Sequence, residues 1–169
     1  KPISLPALPL SFSHAAQVVL VTGAGRGIGQ AIADAHAAAG ARVAYLDHDG
    51  DLAEAAAAGA REWGAKTCAL QADVSDAAQV ERAVNAAARA LGPITALVNN
   101  AGISPKSGPD GKRAMVWEMP PDEWARVVGV NLTGAFNCIR AVAPQMIAAR
   151  RGSIVSMSSV AGKTYCDIV

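Results

Sequence analysis

The chain has 169 residues, 51% of them apolar and 4% aromatic, with 15 basic against 14 acidic side chains and a net charge of +1. That is enough apolar chain for one domain with its own core, and so even a balance excludes the basic face a nucleic-acid binder needs. No apolar run approaches the ~18 residues that cross a bilayer, and Cys68, Cys138 and Cys166, an odd set without CxxC spacing, suit a reducing compartment such as the cytoplasm rather than a disulfide framework or a zinc site.

Residues 1–16 begin "KPISLPALPLSFSH", where Pro2, Pro6 and Pro9 interrupt any helical run. They read as an irregular extension, not as a signal-peptide core. Residues 17–169 form the domain proper. His14, His36 and His48 pair with no cysteine at ligand spacing, and no metal is expected.

Five short apolar runs come next: "QVVLV" (17–21), "RVAYL" (42–46), "KTCAL" (66–70), "ITALV" (94–98) and "SIVSM" (153–157). Turn residues bound them, and they are apolar nearly throughout, as strands buried on both faces are. The first helix carries Ile28, Ala31, Ile32, Ala35 and Ala39 at spacings of three and four and closes at Gly40. The second, "DLAEAAAAGAREWG", ends at Gly64 with a weak point at Gly59. The third runs through Val80, Ala83, Val84, Ala87 and Leu91, with Ser75 as the expected cap. The fourth starts at Pro121-Asp122-Glu123, where Pro suits the first turn and acids face the positive end of the dipole. Its expected stripe is Trp124, Val127, Val128, Leu132, Ala135, Ile139, Val142 and Met146, and Pro144 is expected to bend it. A Gly/Pro/Lys loop, 104–119, precedes it, with a buried end expected at Val116-Trp117. Alternating strands and helices predict βαβ units and a parallel sheet.

"VLVTGAGRGIGQAIA" places a strand, a run of glycines and an amphipathic helix in series. Glycine lets a phosphate approach the main chain, and the helix start offers it free N–H groups and a positive dipole end. Strand before and helix after make this much stronger than a glycine pattern alone. Asp47 ends the second strand, where a carboxylate can accept both ribose hydroxyls of an adenosine. It would also repel a 2′-phosphate: two unit charges 4 Å apart at an effective dielectric near 20 interact by about 4 kcal/mol. NAD is therefore favoured over NADP, although Arg26 in the loop argues weakly the other way. A calcium loop over "DHDGD" fails because its twelfth position is Ala58, not Glu.

The glycine spacing is G-x-x-x-G-x-G, through Gly23, Gly27 and Gly29, not GxGxxG. With Thr22-Gly23-Ala24-Gly25-Arg26-Gly27-Ile28-Gly29, Asp73-Val74 after the third strand, "NNAG" at 99–102, "VNLTG" around Asn131 and "SIVSMSSVAG" at the fifth strand, the chain resembles the short-chain dehydrogenase/reductase family over residues 17 to 162. The resemblance extends to members that reduce 3-oxoacyl thioesters and, nearly as well, to members that oxidise sugars or polyols. It implies a Rossmann-type doubly wound α/β sheet, here five strands in the order 3-2-1-4-5, with the family's last strands and helices lying beyond this sequence. It implies an NAD(P)-dependent oxidoreductase, or its cofactor-binding portion. Hydride would pass between nicotinamide and a small-molecule secondary alcohol or ketone, within a homo-oligomer, dimer or tetramer, and with no nucleic-acid or membrane partner. Thr22, Gly23, Arg26, Gly27, Ile28, Gly29, Asp47, Asp73, Val74, Asn100, Ala101 and Gly102 would hold the cofactor, with Asp73-Val74 at the adenine. Ser159 would bond the reacting oxygen, with Ser158 the next choice and Ser156 inside the strand. Asn131 would help to hold a water; its alternative is an amide bonding a loop carbonyl.

The family's catalytic Tyr comes well past its Ser, followed by a Lys one helical turn later. Both are expected beyond residue 169, because Tyr165 stands only six residues after Ser159 and the position four after it is Val169. Residues 1–169 by themselves are therefore expected to be inactive. A non-catalytic nucleotide-binding module is the alternative reading.

Overall fold

The structure, a computed structural model, describes residues 13–106 and 115–159. Five parallel strands form one sheet in the order β3-β2-β1-β4-β5. They are β1 (Val18–Thr22), β2 (Arg42–Asp47), β3 (Thr67–Gln71), β4 (Ala96–Asn99) and β5 (Ser153–Ser156). The helices are α1 (Gly27–Ala38), α2 (Gly50–Glu62), α3 (Ala77–Leu91), α4 (Pro121–Val128) and α5 (Gly134–Ala148), the last two joined by a π-helical turn, Gly129–Thr133. The expected topology and strand order are those of the sheet.

Side chains alternate across each strand, so the sheet builds two cores. Val18, Leu20, Ala44, Leu46 and Leu97 face α3 and α5 through Val80, Val84, Ala87, Cys138, Val142 and Met146. Val19, Val21, Val43, Tyr45 and Val98 face α1 and α2. There the helix surface is alanine (Ala33, Ala37, Ala56, Ala57 and Ala60), which lets both helices lie close to the strands. β1 and β4 are wholly buried, and each such Val or Leu contributes about 1.5–3 kcal/mol. Tyr45, fully buried, donates its hydroxyl to Asp34 Oδ1 at 2.7 Å and so pins α1 to β2.

Several expectations change. α3 is capped by Asp76, which accepts the amides of Ala78 and Gln79; Ser75 instead donates its hydroxyl to Asp73 Oδ1 at 2.7 Å. β5 is exposed along its length rather than buried on both faces, because it is the edge of the sheet among the described residues. Val116 and Trp117 are 73% and 77% exposed, not buried. The fourth helix does not keep one apolar stripe. Cys138, Val142 and Met146 are buried, whereas Trp124, Leu132, Phe136 and Ile147 are exposed. The physical reason is the π turn, whose i→i+5 spacing rotates the face of α4 relative to that of α5. The α pattern breaks there, while α5 runs on through Pro144.

Among the described residues no helix is long and apolar enough to cross a membrane.

Candidate functional site

The strand order reverses between β1 and β4, and their carboxyl ends open a crevice there, the usual ligand position in such sheets. Thr22 is its keystone. Its Oγ1 accepts the backbone amides of Asn100 and Ala101, each at 3.0 Å, while Asn100 Nδ2 donates to the carbonyls of Thr22 at 3.0 Å and Gly23 at 3.3 Å. Four hydrogen bonds thus lock the glycine loop after β1 to "NNAG" after β4.

The loop then turns tightly into α1. Gly23 and Gly27 have φ of 64° and 59°, the left-handed region open chiefly to glycine. Gly29 is required for another reason: a Cβ there would lie 2.0 Å from the Gly23 carbonyl oxygen and 2.5 Å from Asn100 Nδ2. α1 therefore begins flush against the strand ends, with Gly27, Ile28 and Gly29 of its first turn lining the crevice.

Asp47 closes the side beyond β2. Gly25 N donates to its Oδ2 at 2.9 Å. Oδ1 takes the Asp49 amide at 3.1 Å and stands 3.0 Å from His48 Nδ1. Burial would raise its pKa, but the Gly25 and Asp49 amides and the His48 ring outweigh it and hold the carboxyl below its ordinary value. A carboxylate has about four acceptor positions; three are filled, so one remains while His48 stays in place. The expected double grip on two ribose hydroxyls requires the His48 side chain, 77% exposed, to swing aside.

These elements enclose a cleft of about 630 Å³. Gly23, Arg26, Gly27, Ile28 and Gly29 line one wall, Asp47, Asp73 and Val74 a second, and Asn100, Ala101 and Gly102 a third. The structure brings together every expected cofactor residue except Thr22, which is 1% exposed and holds the wall from behind. Asp73 Oδ1 accepts the amide and the hydroxyl of Ser75, shaping its own turn. That turn is fixed from α5, where buried Asn137 donates to the carbonyls of Val74 at 2.9 Å and Ser75 at 3.3 Å.

The expected chemical residues lie elsewhere. Asn131, in the π turn, does not line the cleft; its Nδ2 donates to the Ile103 carbonyl and its Oδ1 accepts the Ile103 amide, both at 2.9 Å. Its side chain has the geometry of the loop-bonding alternative. Ser159 is exposed three residues past β5. Ser156, the last residue of β5, accepts from Asn99 Nδ2 at 3.2 Å. Val160, Ala161, Gly162 and Tyr165 lie outside the described residues.

His48, Ile103, Arg126 and Val130 line the cleft without having been expected there. His48 directly succeeds Asp47, and that adjacency was a usable signal. Arg126, in α4, and Val130, in the π turn, both reach the crevice, and nothing local in the sequence says that they do.

A family described as short chain dehydrogenase matches residues 17–168 of the chain. The chain is 39% identical over 146 residues to 2-(S)-hydroxypropyl-CoM dehydrogenase 3 of Xanthobacter autotrophicus, covering 86% of this chain and 54% of that protein. It is 38% identical over 145 residues to a 3-oxoacyl-[acyl-carrier-protein] reductase of Staphylococcus epidermidis, covering 85% and 56%. A 3-oxoacyl-[acyl-carrier protein] reductase from Brucella melitensis, solved with bound NAD, superposes with a TM-score of 0.87 at 43% identity, over 99% of this chain and 64% of that one. The chain spans about half the length of the curated relatives it matches.

Proposed function

The chain belongs to the short-chain dehydrogenase family, and from that premise we propose that residues 17–169 form the nicotinamide-dinucleotide-binding domain of an oxidoreductase acting on a small secondary alcohol or ketone. The observation that carries this reading is the convergence of the glycine loop, Asp47, Asp73 and Asn100 on one cleft at the point where strand order reverses.

In that reading the α1 amides and the glycine loop take the pyrophosphate, and Asp47 takes the adenosine ribose. Asp73 and Val74 flank the adenine, and the Asn100–Gly102 wall bounds the adenosine half of the cleft. When bound, the nicotinamide supplies or accepts the hydride. Ser159 would donate a hydrogen bond to the reacting oxygen. Asn131 would act through the loop it holds, with the π turn, a feature common at functional sites, presenting main chain to a water. Asp47, charged and buried at the ribose end, favours NAD over NADP.

A 3-oxoacyl thioester is the substrate class supported by two of the similar proteins. Assembly as a homo-oligomer is supported by the exposed apolar side chains Trp124, Leu132, Phe136 and Ile147. We place the protein in a reducing, cytoplasmic setting, as its three cysteines without CxxC spacing suggest.

The test is calorimetric titration with NAD and NADP. Saturable binding with NAD the tighter ligand is expected. Binding of neither dinucleotide would refute the reading, and tighter NADP would overturn the role given to Asp47.

A further inference from the structure

The third wall of the cleft continues past Gly102 into residues 103–106, and α4 with its π turn grips that strip at three successive points. Asn131 pairs with both backbone groups of Ile103 at 2.9 Å. Arg126 Nη2 donates to the Ser104 carbonyl at 3.1 Å. Glu123 Oε1 accepts the Lys106 amide at 2.6 Å. Glu123 and Arg126 are joined to each other as a fork, Nε to Oε2 at 2.8 Å and Nη2 to Oε1 at 2.6 Å. A bidentate guanidinium–carboxylate pair is geometrically rigid as well as charge-assisted.

Two further facts argue that this clamp serves the cleft. No residue of α4 is buried, so the helix is not fastened by a core of its own. Arg126 also lines the cleft beside Gly102, Ile103 and Val130. Because Glu123 spends both oxygens on Arg126, the pair is electrically closed and makes a poor anion receptor. Its value is placement.

We propose that Glu123 and Arg126 are positioning residues for the cofactor cleft: as a closed fork they tie residues 103–106 to α4 and hold the Gly102–Ile103 wall at the spacing that admits the adenosine half of a dinucleotide. This rests on the cleft being a dinucleotide site. It assigns a binding function to a loop–helix junction outside the glycine loop and the strand ends.

The test uses ADP-ribose as the probe, titrated by NMR into the wild-type chain and into Arg126→Met, Arg126→Lys and Glu123→Gln, with amide hydrogen exchange at Ile103 and Lys106 measured on the same samples. Arg126→Met keeps the apolar stem and removes the fork. It should weaken ADP-ribose about tenfold, the scale of coupling carried through a shared backbone shift, and speed exchange at both amides. Arg126→Lys, which keeps the charge but not the fork, should recover only part of each effect. Glu123→Gln, which keeps shape and an acceptor for Lys106, should fall between them and stands in should the Met variant fail to fold. Faster exchange with ADP-ribose affinity within twofold of wild type would overturn the proposal, since the clamp would then be structural only. Lost affinity with unchanged exchange would also overturn it, since Arg126 would then touch the ligand itself. If the wild-type chain binds no ADP-ribose, the reading of the cleft fails and the clamp's role falls with it. Wild-type binding with indifferent variants removes the clamp alone.

Discussion

Gly25 donates its backbone amide to Asp47 Oδ2 at 2.9 Å, joining the glycine loop after β1 to the carboxyl end of β2. One carboxylate therefore shapes the loop and lines the cleft at once. A Cβ on Gly25 would lie 2.9 Å from that same oxygen and 2.7 Å from Leu52 Cβ, so the approach requires glycine.

Asp47→Ala should consequently do two things: weaken NAD and erase discrimination against NADP. A full charge at ~4 Å is worth about 4 kcal/mol at an effective dielectric of 20. Screening at the open cleft reduces the expected change in the NAD/NADP affinity ratio to roughly 10- to 100-fold. Paired titrations before and after the substitution measure it, and an unchanged ratio would remove Asp47 from the ribose site.

His48→Ala frees an acceptor position on Asp47 Oδ1, now 3.0 Å from the imidazole. A hydrogen bond is worth about 0.5–1.5 kcal/mol net. NAD affinity should therefore rise severalfold in this variant. A fall would mean that His48 itself contacts the ligand.

Gly29→Ala tests the loop–helix junction. The added Cβ would meet the Gly23 carbonyl oxygen at 2.0 Å, and neither backbone segment can yield without breaking the Thr22–Asn100 lock. Overpacking of this kind typically costs about 1–3 kcal/mol, occasionally more. Urea unfolding should show at least that loss, with dinucleotide binding abolished. Wild-type stability would refute the geometry.

Acid should loosen the clamp. The Arg126 fork and the Lys106 amide lower the Glu123 pKa from 4.5 to about 2. A carboxyl depressed in the folded state contributes stability that is fully present above its unfolded value and is lost as pH falls through the folded one. The thermal midpoint should therefore drop between pH 4.5 and 2, with the protection of the Lys106 amide, its exchange rate relative to that of an unstructured amide at the same pH, falling in step. In Glu123→Gln the Lys106 protection should lose this pH dependence. Identical profiles in the two proteins would show that another group governs the range.

On the role proposed for Ser159, Ser159→Ala in a chain that carries the whole active site should lower turnover by about 100- to 1,000-fold, the usual effect of removing one hydrogen-bond donor to a developing oxyanion. NAD affinity should hardly change, because that contact acts in the transition state. If Ser158→Ala is the damaging substitution instead, the register at the end of β5 is off by one.

The sequence by itself determined the sheet, its order and most of the cleft. The glycine loop, Asp47, Asp73 and the Asn100–Gly102 turn each sit at the end of a strand, and in a parallel sheet strand ends on one edge converge whatever lies between them. Local chemistry therefore located the glycine loop and Asp47, and the family resemblance located Asp73 and the Asn100–Gly102 turn. What tertiary structure decided lies where segments far apart in the chain meet. Thr22 faces inward, holding Asn100 and Ala101 from behind, because of how β1 and β4 pair. Asn131 spends its amide on Ile103, 28 residues away. The helix after Pro121 changes its buried face at a π turn that no periodicity announces, and this puts Trp124 and Leu132 in solvent while Val142 reaches the core. Arg126 reads in the sequence as one cation on a surface helix. Only the approach of residues 103–106 makes it half of a clamp on the cleft, because hydrogen bonds to backbone groups depend on distance in space and leave no pattern in the order of residues.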